Sequence, residues 1–264
     1  MRYLWTEERF PDIGRELDGD IRTEVCVIGG GMAGILCAAR LTECGIDNIL
    51  VEARQVGYGI TKGTTAVLTA QHDLLYSDLA RKYGMKKAGQ YLHANLDALR
   101  RFRSLSEKID CDLESCPSVM YSLTGKDKLK QEAEILHKLG YPAVYTTSPD
   151  LPFSVTDAVI YPEAAQIHPL KFLYGMAKGL RIYRNTFIRE LQGTVAIADG
   201  GKIFAKKVIV ATHFPFINRR GLYFMKQYQK RSYVIAYENA PSLSCSAEDA
   251  ADGFYFRRYR DLLL

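Results

Sequence analysis

Short apolar runs alternate with longer amphipathic stretches along the chain, and this alternation predicts a mixed α/β protein. Residues 25–28 are uniformly apolar and predict a buried strand. A helix over about 32–44 and a second apolar strand at 48–51 follow, so the three segments form a strand–helix–strand unit. Over about 76–109, apolar residues recur at spacings of three and four, which is typical of helices.

Glycines and extended segments organise the rest of the chain. Gly84 and Gly89 are predicted to break the long helical stretch, and Asp127 is predicted to cap the start of a further helix. The nearly continuous apolar run at 207–211 predicts a fully buried parallel strand. Residues 232–237 predict a strand of a second sheet.

The turn after the first strand carries candidate chemistry. Gly29, Gly31 and Gly34 have the spacing of a dinucleotide-binding turn. The first glycine permits the tight turn, the second admits a pyrophosphate, and the third allows close helix–strand packing. Glu52 ends the second strand about twenty residues later, where an acid hydrogen-bonds ribose hydroxyls. The alternative is an ordinary strand–helix–strand unit with glycines at its turns.

Composition narrows the class of protein. The 264 residues are 47% hydrophobic and 25% charged, as in globular proteins, and no apolar run is long enough to predict an integral membrane segment. The net charge of +5 is spread over short clusters without interleaved aromatic residues, so no nucleic-acid partner is expected. The six cysteines lack metal-ligand spacing, so no metal site is expected. Without a secretory signal at the N-terminus, a cytoplasmic location is expected.

A glycine- and threonine-rich stretch follows the ribose-binding acid. Residues 57–73 offer backbone N–H groups and hydroxyls together, which suit a phosphate or a polar ring edge. A plain surface loop is the alternative, although so long a structureless loop is uncommon in a compact domain. The stretch therefore predicts a segment that lines a cofactor.

Four features together resemble one protein family. They are the glycine turn, Glu52, the Gly-x-Gly-x-Thr-x-x-Thr-Thr-Ala stretch at 57–66, and the strand that ends at Ala211 and Thr212. This set resembles the glycine oxidase/D-amino-acid oxidase superfamily (DAO) of FAD-dependent oxidoreductases. Local runs also resemble a bacterial branch whose members usually carry a C-terminal Rieske domain. These runs are Gln71-His72, Ile109–Asp112, Ala211–Pro215 and Arg231–Tyr233.

The resemblance implies FAD as cofactor and gives each matching residue a role. The glycine turn would hold the pyrophosphate, Glu52 the adenosine ribose, Arg54 would lie near the adenine, and the Ile188 backbone would meet it. Gly59, Thr61 and Thr65 would line the path towards the flavin. The full set of implied cofactor-binding residues is Gly29, Gly31, Met32, Ala33, Gly34, Glu52, Ala53, Arg54, Gly59, Thr61, Thr64, Thr65, Ile188, Ala211 and Thr212.

The resemblance also implies the domain organisation. A Rossmann-like FAD-binding domain would comprise 1–75, 156–213 and 258–264. An α+β substrate domain, built on an antiparallel sheet, would comprise 76–155 and 214–257. The expected fold class is therefore α/β with two discontinuous domains.

A substrate carboxylate would be anchored by an arginine on a strand, because a planar guanidinium binds a carboxylate bidentately. Arg257 and Arg258 are the candidates, with Tyr255 as an aromatic neighbour. The alternative is a solvent-exposed basic pair on a strand. No general base is assigned, since His72 and His213 each fit a structural histidine as well as a catalytic one.

The chain departs from the family in three respects. Gly63 and Val67 stand where the branch more often has histidine and lysine, so local flavin contacts are expected to differ. No C-x-H followed by C-x-x-H occurs, so the chain is not expected to ligate a Rieske cluster. The apolar end at 261–264 leads in the family into a second glycine-rich element, so C-terminal truncation is expected.

The expected function is that of a FAD-dependent oxidoreductase that oxidises a small amine or amino acid by hydride transfer to flavin. The electron acceptor and the oligomeric state stay open. One alternative is a truncated, catalytically incompetent fragment that binds FAD or another nucleotide. A less favoured one is an NAD-dependent dehydrogenase, because Glu52 suits either cofactor.

Overall fold

The computed structural model describes the chain in four stretches, which contacts divide into two compact units. The described residues are 3–125, 128–217, 222–251 and 253–264. The first unit is Met1–Thr64 with Pro169–Tyr233, and the second is Thr65–His168 with Val234–Leu264.

Helices and strands occur in both units. The helices are α1 Met32–Glu43, α2 Leu75–Tyr83, α3 Met85–Ser106, α4 Lys128–Lys138, α5 Pro169–Met176 and α6 Tyr223–Lys226. The strands are β1 Ile21–Ile28, β2 Asn48–Val51, β3 Val67–Leu68, β4 Glu114–Ser115, β5 Ser118–Ser122, β6 Val144–Thr146, β7 Asp157–Tyr161, β8 Ala165–Gln166, β9 Ile182–Tyr183, β10 Ile188–Gln192, β11 Val195–Ala198, β12 Gly201–Val210, β13 Ser246–Asp249, β14 Tyr255–Phe256, β15 Arg258–Tyr259 and β16 Leu262–Leu263. Short 3-10 helices lie at Leu4–Thr6 and Ile60–Gly63.

The first unit is built on a six-stranded sheet in the order β10-β11-β12-β1-β2-β9. Strand β1 runs parallel to both β12 and β2, and α1 packs over β1 and β2. Every residue of β2 is buried, as two-sided coverage demands of an apolar strand. Ile28 pairs with both Val51 and Val210, so β1, β2 and β12 end at the same edge.

The prediction for 207–211 is right in its pairing and wrong in its burial. This run belongs to one long strand, β12, which pairs in parallel with β1. Val208, Ile209 and Val210 are only half-buried, however. Strand β12 lies between β11 and β1 in the sheet, so both of its edges are paired. Helix α1 packs over β1 and β2, but β12 lacks the same helical cover.

The second unit is built on a five-stranded sheet in the order β14-β13-β5-β7-β6. Its pairings are antiparallel except for β13 with β5. Helices α2, α3 and α4 bury one face, where Tyr76, Leu92 and Leu136 pack against Met120 and Tyr161 of the sheet. The mixed α/β architecture, with a largely antiparallel second sheet, confirms the predicted fold class.

The long helical stretch is broken at one of the two predicted glycines. Gly84 separates α2 from α3 and has a φ of +84°, a conformation that favours glycine. The predicted break at Gly89 is wrong, because α3 continues through it. A Cβ at Gly89 would lie 3.4 Å from a Leu139 methyl group, so this glycine permits close helix packing instead.

Two other local predictions have different outcomes. The strand predicted at 232–237 is wrong, since the segment is irregular apart from a bridge between Tyr237 and Leu263. Its side chains are exposed, and strand preference needs a neighbouring strand to be realised. The helix cap predicted at Asp127 lies outside the described residues.

The contact-based units differ from the predicted domains at their joins. Residues 65–75, 156–168 and 258–264 belong to the second unit, and residues 214–233 belong to the first. The assignment of FAD to one unit and substrate to the other stays a prediction. No helix in the described part of the chain is long and apolar enough to cross a membrane.

A buried carboxylate joins two helices of the second unit. Glu132 of α4 is 0% exposed, and its oxygens accept hydrogen bonds from the N–H groups of Tyr76, at 2.8 Å, and Ser77, at 2.7 Å. These N–H groups lie in the first turn of α2, where backbone donors lack partners within the helix. Burial raises the pKa of Glu132.

We therefore expect Glu132→Ala to lower the free energy of unfolding of the second unit by roughly 2–4 kcal/mol, because two buried donors lose their acceptor. Hydrogen–deuterium exchange of peptides from α2 measures this locally. Glu134→Ala is the matched control, because Glu134 is exposed on the same helix. Equal exchange in the two variants would contradict the capping role.

Candidate functional site

The turn between β1 and α1 requires glycine for two different reasons. Gly29 has a φ of +114°, and a Cβ there would lie 2.5 Å from the carbonyl oxygen of Ala211. A Cβ at Gly34 would lie 1.8 Å from the carbonyl oxygen of Gly29. Both glycines are therefore required by the protein's own backbone packing.

Gly31 differs from its two neighbours in the motif. Its φ of −84° suits any residue, and a Cβ there would meet only the Thr61 hydroxyl oxygen, at 3.4 Å. Packing within the described chain thus gives no reason for a glycine at this position. A ligand that approaches the backbone closely would give one.

Helix α1 begins at this turn, and its own first turn contains no acidic residue. Its N-cap, Gly31, makes no side-chain capping hydrogen bond. The Met32 N–H donates to Thr61 Oγ1 at 3.3 Å. Backbone donors and the helix dipole at such an end favour a phosphate.

Glu52 is fixed against the turn from the end of β2. Its Oε2 accepts the Gly30 N–H at 2.7 Å, and its Oε1 accepts the Arg54 N–H at 2.9 Å. Its backbone carbonyl accepts the Thr186 N–H at 3.0 Å. Two backbone N–H groups therefore hold the carboxylate beside the glycine turn, and the Thr186 N–H holds the backbone of the same residue, so the acid lies where a ribose-binding acid is expected.

The residues expected on the adenine side lie next to Glu52. The Asn185 N–H donates to the Arg54 carbonyl at 3.0 Å, and Asn185 has a φ of +48°. This turn leads into β10, whose first residue, Ile188, is 6% exposed. The structure thus places Asn185, three residues before Ile188, against Arg54, and the contact of Arg54 and Ile188 with adenine stays a prediction.

The glycine- and threonine-rich stretch is structured. The 3-10 helix Ile60–Gly63 buries Thr61, and the carbonyl of Thr64 accepts the Trp5 indole N–H at 2.7 Å. Gly59 is its N-cap, and Thr65 begins the second unit. Two residues of this stretch contact the glycine turn, since the Gly57 N–H donates to the Gly30 carbonyl at 2.9 Å and Thr61 Oγ1 accepts the Met32 N–H.

Ala211 and Thr212 complete the surroundings of the turn. The Ala211 N–H donates to the Ile28 carbonyl at 2.8 Å, which extends the pairing of β1 and β12 by one residue. Thr212 Oγ1 donates to the Phe214 carbonyl at 3.0 Å. Both residues therefore lie at the edge where Gly29 begins the turn.

The predicted substrate-anchoring residues lie in the second unit. Arg257 is 1% exposed, and its guanidinium donates to the backbone carbonyls of Thr65 and Ile167. Burial lowers the pKa of Arg257 to about 10. Arg258 is exposed, and its Nε donates to the Arg260 carbonyl at 2.6 Å. These contacts explain why Arg257 is buried, and its binding of a substrate carboxylate stays a prediction.

Sequence reasoning missed a polar group beside Tyr255. Glu248 on β13 pairs with Tyr255 on β14, and Gln71 Nε2 donates to Glu248 Oε2 at 2.6 Å. Burial and the neighbouring Asp73 carboxylate raise the pKa of Glu248 to about 7. The adjacent His72 lies in contact with Tyr91, and burial lowers its pKa. Glu248 meets residues 71–73 through tertiary contacts between distant parts of the chain, so no local sequence signal marks it.

Comparison with known proteins places the chain in a family. The family model described as "DAO: FAD dependent oxidoreductase" matches residues 24–264. Bacillus subtilis YhfW, named as a Rieske 2Fe-2S iron-sulfur protein, is 33% identical over 233 residues, which are 83% of this chain and 46% of YhfW. Escherichia coli gamma-glutamylputrescine oxidoreductase is 26% identical over 216 residues, which are 74% of this chain and 50% of that protein. The chain thus spans about half the length of these curated relatives.

Solved structures agree on the fold. Glycine oxidase from Geobacillus kaustophilus superposes with a TM-score of 0.65 at 18% identity, over 92% of this chain and 70% of that chain. The family predicted from the four sequence features together, and the FAD dependence that it implies, are confirmed. Since the family model matches nearly the whole chain, and a relative one-third identical aligns with most of it, the chain belongs to the DAO family of FAD-dependent oxidoreductases.

Proposed function

We propose that this chain binds FAD at the glycine turn of its first unit and takes part in the oxidation of an amine or amino acid. The observation that supports this most directly is Gly31, where a Cβ would have room within the chain yet a glycine is present. The fixed carboxylate of Glu52, and a first turn of α1 that has neither an acidic residue of its own nor a side-chain cap, match the same ligand.

Each part of the chain would contribute a separate step. The turn's N–H groups would bind the pyrophosphate, and Glu52 would accept hydrogen bonds from ribose hydroxyls. Flavin, when bound, supplies the capacity to accept a hydride from a C–H bond next to an amine. The second unit would orient the substrate and exclude water, with Arg257, Arg258 and Tyr255 as the proposed contacts.

The names of two comparison proteins support the substrate class. They are named for glycine and for gamma-glutamylputrescine, both of which contain an amine. Membership of a FAD-dependent family speaks against the NAD-dependent alternative. Cofactor binding without turnover is the remaining alternative, because the chain spans about half of each curated relative.

The proposal is tested by the visible spectrum of the purified chain, followed by identification of the released cofactor. We expect stoichiometric FAD, and anaerobic bleaching by at least one of glycine, sarcosine, a D-amino acid or a simple primary amine. Bound FAD without bleaching would favour the non-catalytic alternative. A folded chain that retains no FAD after incubation with FAD and removal of the free cofactor would overturn the proposal.

Two glycine variants separate the fold from the ligand. Gly31→Ala is expected to fold normally and to bind FAD at least about tenfold more weakly, because its Cβ would meet the pyrophosphate rather than the protein. Gly34→Ala is expected to destabilise the first unit, because its Cβ would overlap the Gly29 carbonyl. Melting temperatures and FAD titrations distinguish the two. Full FAD affinity in Gly31→Ala would show that the turn does not hold the pyrophosphate.

Glu52→Ala is expected to weaken FAD binding roughly 10- to 100-fold, because hydrogen bonds to a carboxylate contribute about 1.5–3 kcal/mol. The loss is measured as FAD retained after gel filtration and as a dissociation constant by fluorescence. Glu43→Ala is the matched control, since its side chain is exposed at the end of α1. Unchanged retention in Glu52→Ala would remove Glu52 from the site.

A further inference from the structure

A set of polar side chains lies on the helix-covered face of the five-stranded sheet. Ser118 of β5 pairs with Ser246 of β13 on one side and with Tyr161 of β7 on the other. Two residues further along β13, Glu248 pairs with Tyr255 of β14. Paired residues, and residues two apart on a strand, point to the same face, so these five side chains share it.

Three hydroxyls in this set make no hydrogen bond. They belong to Tyr161, Ser246 and Tyr255, and both Tyr161 and Ser246 are 0% exposed. The hydroxyls of Ser246 and Tyr255 are neighbours but lack hydrogen-bonding geometry. Buried hydroxyls nearly always have partners, so three together point to a ligand that supplies them.

Two carboxylates lie beside these hydroxyls. Gln71 connects the groups, since it accepts from Ser118 Oγ at 2.5 Å and donates to Glu248 at 2.6 Å. The Asp73 carboxyl group neighbours the half-buried Glu248 and hydrogen-bonds with it when one of the two is protonated; Asp73 is exposed, so a ligand reaches the pair from its side. None of the ion pairs formed by the described residues involves Asp73 or Glu248.

The chemistry of these groups selects a cation with N–H donors. Two adjacent carboxylates repel each other when both are ionised, and a bound cation relieves this repulsion. Hydroxyl oxygens accept hydrogen bonds from the N–H groups of such a cation. Among the described residues, no group of three or more His, Cys, Asp or Glu side chains is placed to hold a metal ion. An ammonium group, with three donors and one charge, matches both kinds of acceptor.

We propose that Asp73, Glu248 and the hydroxyls of Ser246 and Tyr255 bind an ammonium group of the substrate. As a statement about substrate, this rests on the proposed amine oxidation. An ammonium nitrogen held by carboxylates stays protonated and has no lone pair. The C–H bond that is oxidised therefore lies next to a different nitrogen of the substrate. The substrate class is therefore one with a second basic nitrogen, such as a diamine or a basic amino acid.

Protonation of the carboxylate pair gives binding a defined pH dependence. The pKa of Glu248 is raised to about 7, so below that pH the side chain is largely neutral. A bound ammonium favours the ionised form, so binding below pH 7 releases a proton. Affinity is expected to rise as the pH is raised through about 7 and to level off above it. The groups that face Glu248 are Asp73, Tyr161 and Tyr255, and both tyrosines are neutral in this range because burial raises their pKa.

The test measures binding of 1-aminobutane to the full chain by calorimetry, with 1-butanol as the uncharged comparison. We expect binding of the amine alone, accompanied by proton release, seen as a buffer-dependent heat at pH 6.5. Glu248→Gln is expected to weaken binding about 10- to 100-fold, because a charge-assisted contact is lost. Glu238→Gln, an exposed site in the same unit, is expected to leave it unchanged.

Absence of amine binding to the folded chain would overturn the proposal, as would equal binding by Glu248→Gln. If that variant fails to fold, the pH profile and proton release of the unaltered chain decide. FAD content is measured on the same samples. A chain that holds FAD but not the amine overturns this site alone, whereas one that binds the amine but never FAD overturns the proposed function alone.

Discussion

The close approach of helix α1 to the end of strand β1 is the constraint on which the first unit depends. Gly34 allows the helix to pass against the Gly29 carbonyl, and Gly29 allows β1 to turn beside Ala211. With side chains at these positions, the backbone atoms would overlap. Because β1, β2 and β12 end at the same edge, this single packing contact also places Glu52 and Ala211 at the start of α1.

Three glutamates show how surroundings assign different tasks to one side chain. Glu132 is fully buried and satisfies the backbone donors at the start of a helix, which is a structural role. Glu52 also accepts backbone donors but is only partly buried, beside a turn that suits a phosphate. Burial and a neighbouring carboxylate raise the pKa of Glu248 to about 7, which suits the ligand-binding role proposed for it. The differences arise from donors and charges, because the residue type is the same.

Local patterns predicted the parts of the fold in which neighbours in sequence are also neighbours in space. The strand–helix–strand unit and the break at Gly84 are of this kind. Predictions that depended on distant packing were less successful. Gly89 permits contact with Leu139, which is far away in sequence, and residues 232–237 lack the neighbouring strand that extended structure needs.

The sequence by itself determined the glycine turn and the family, because glycine spacing and apolar continuity are local requirements of a backbone that bends and packs within a few residues. The tertiary structure alone decided the surroundings of each charged side chain. Arg257 donates to the carbonyls of Thr65 and Ile167, and the packing of the second unit brings Glu248 beside Asp73, which is distant in sequence. Burial and electrostatic coupling depend on what the whole chain brings together, and residue spacing does not encode them.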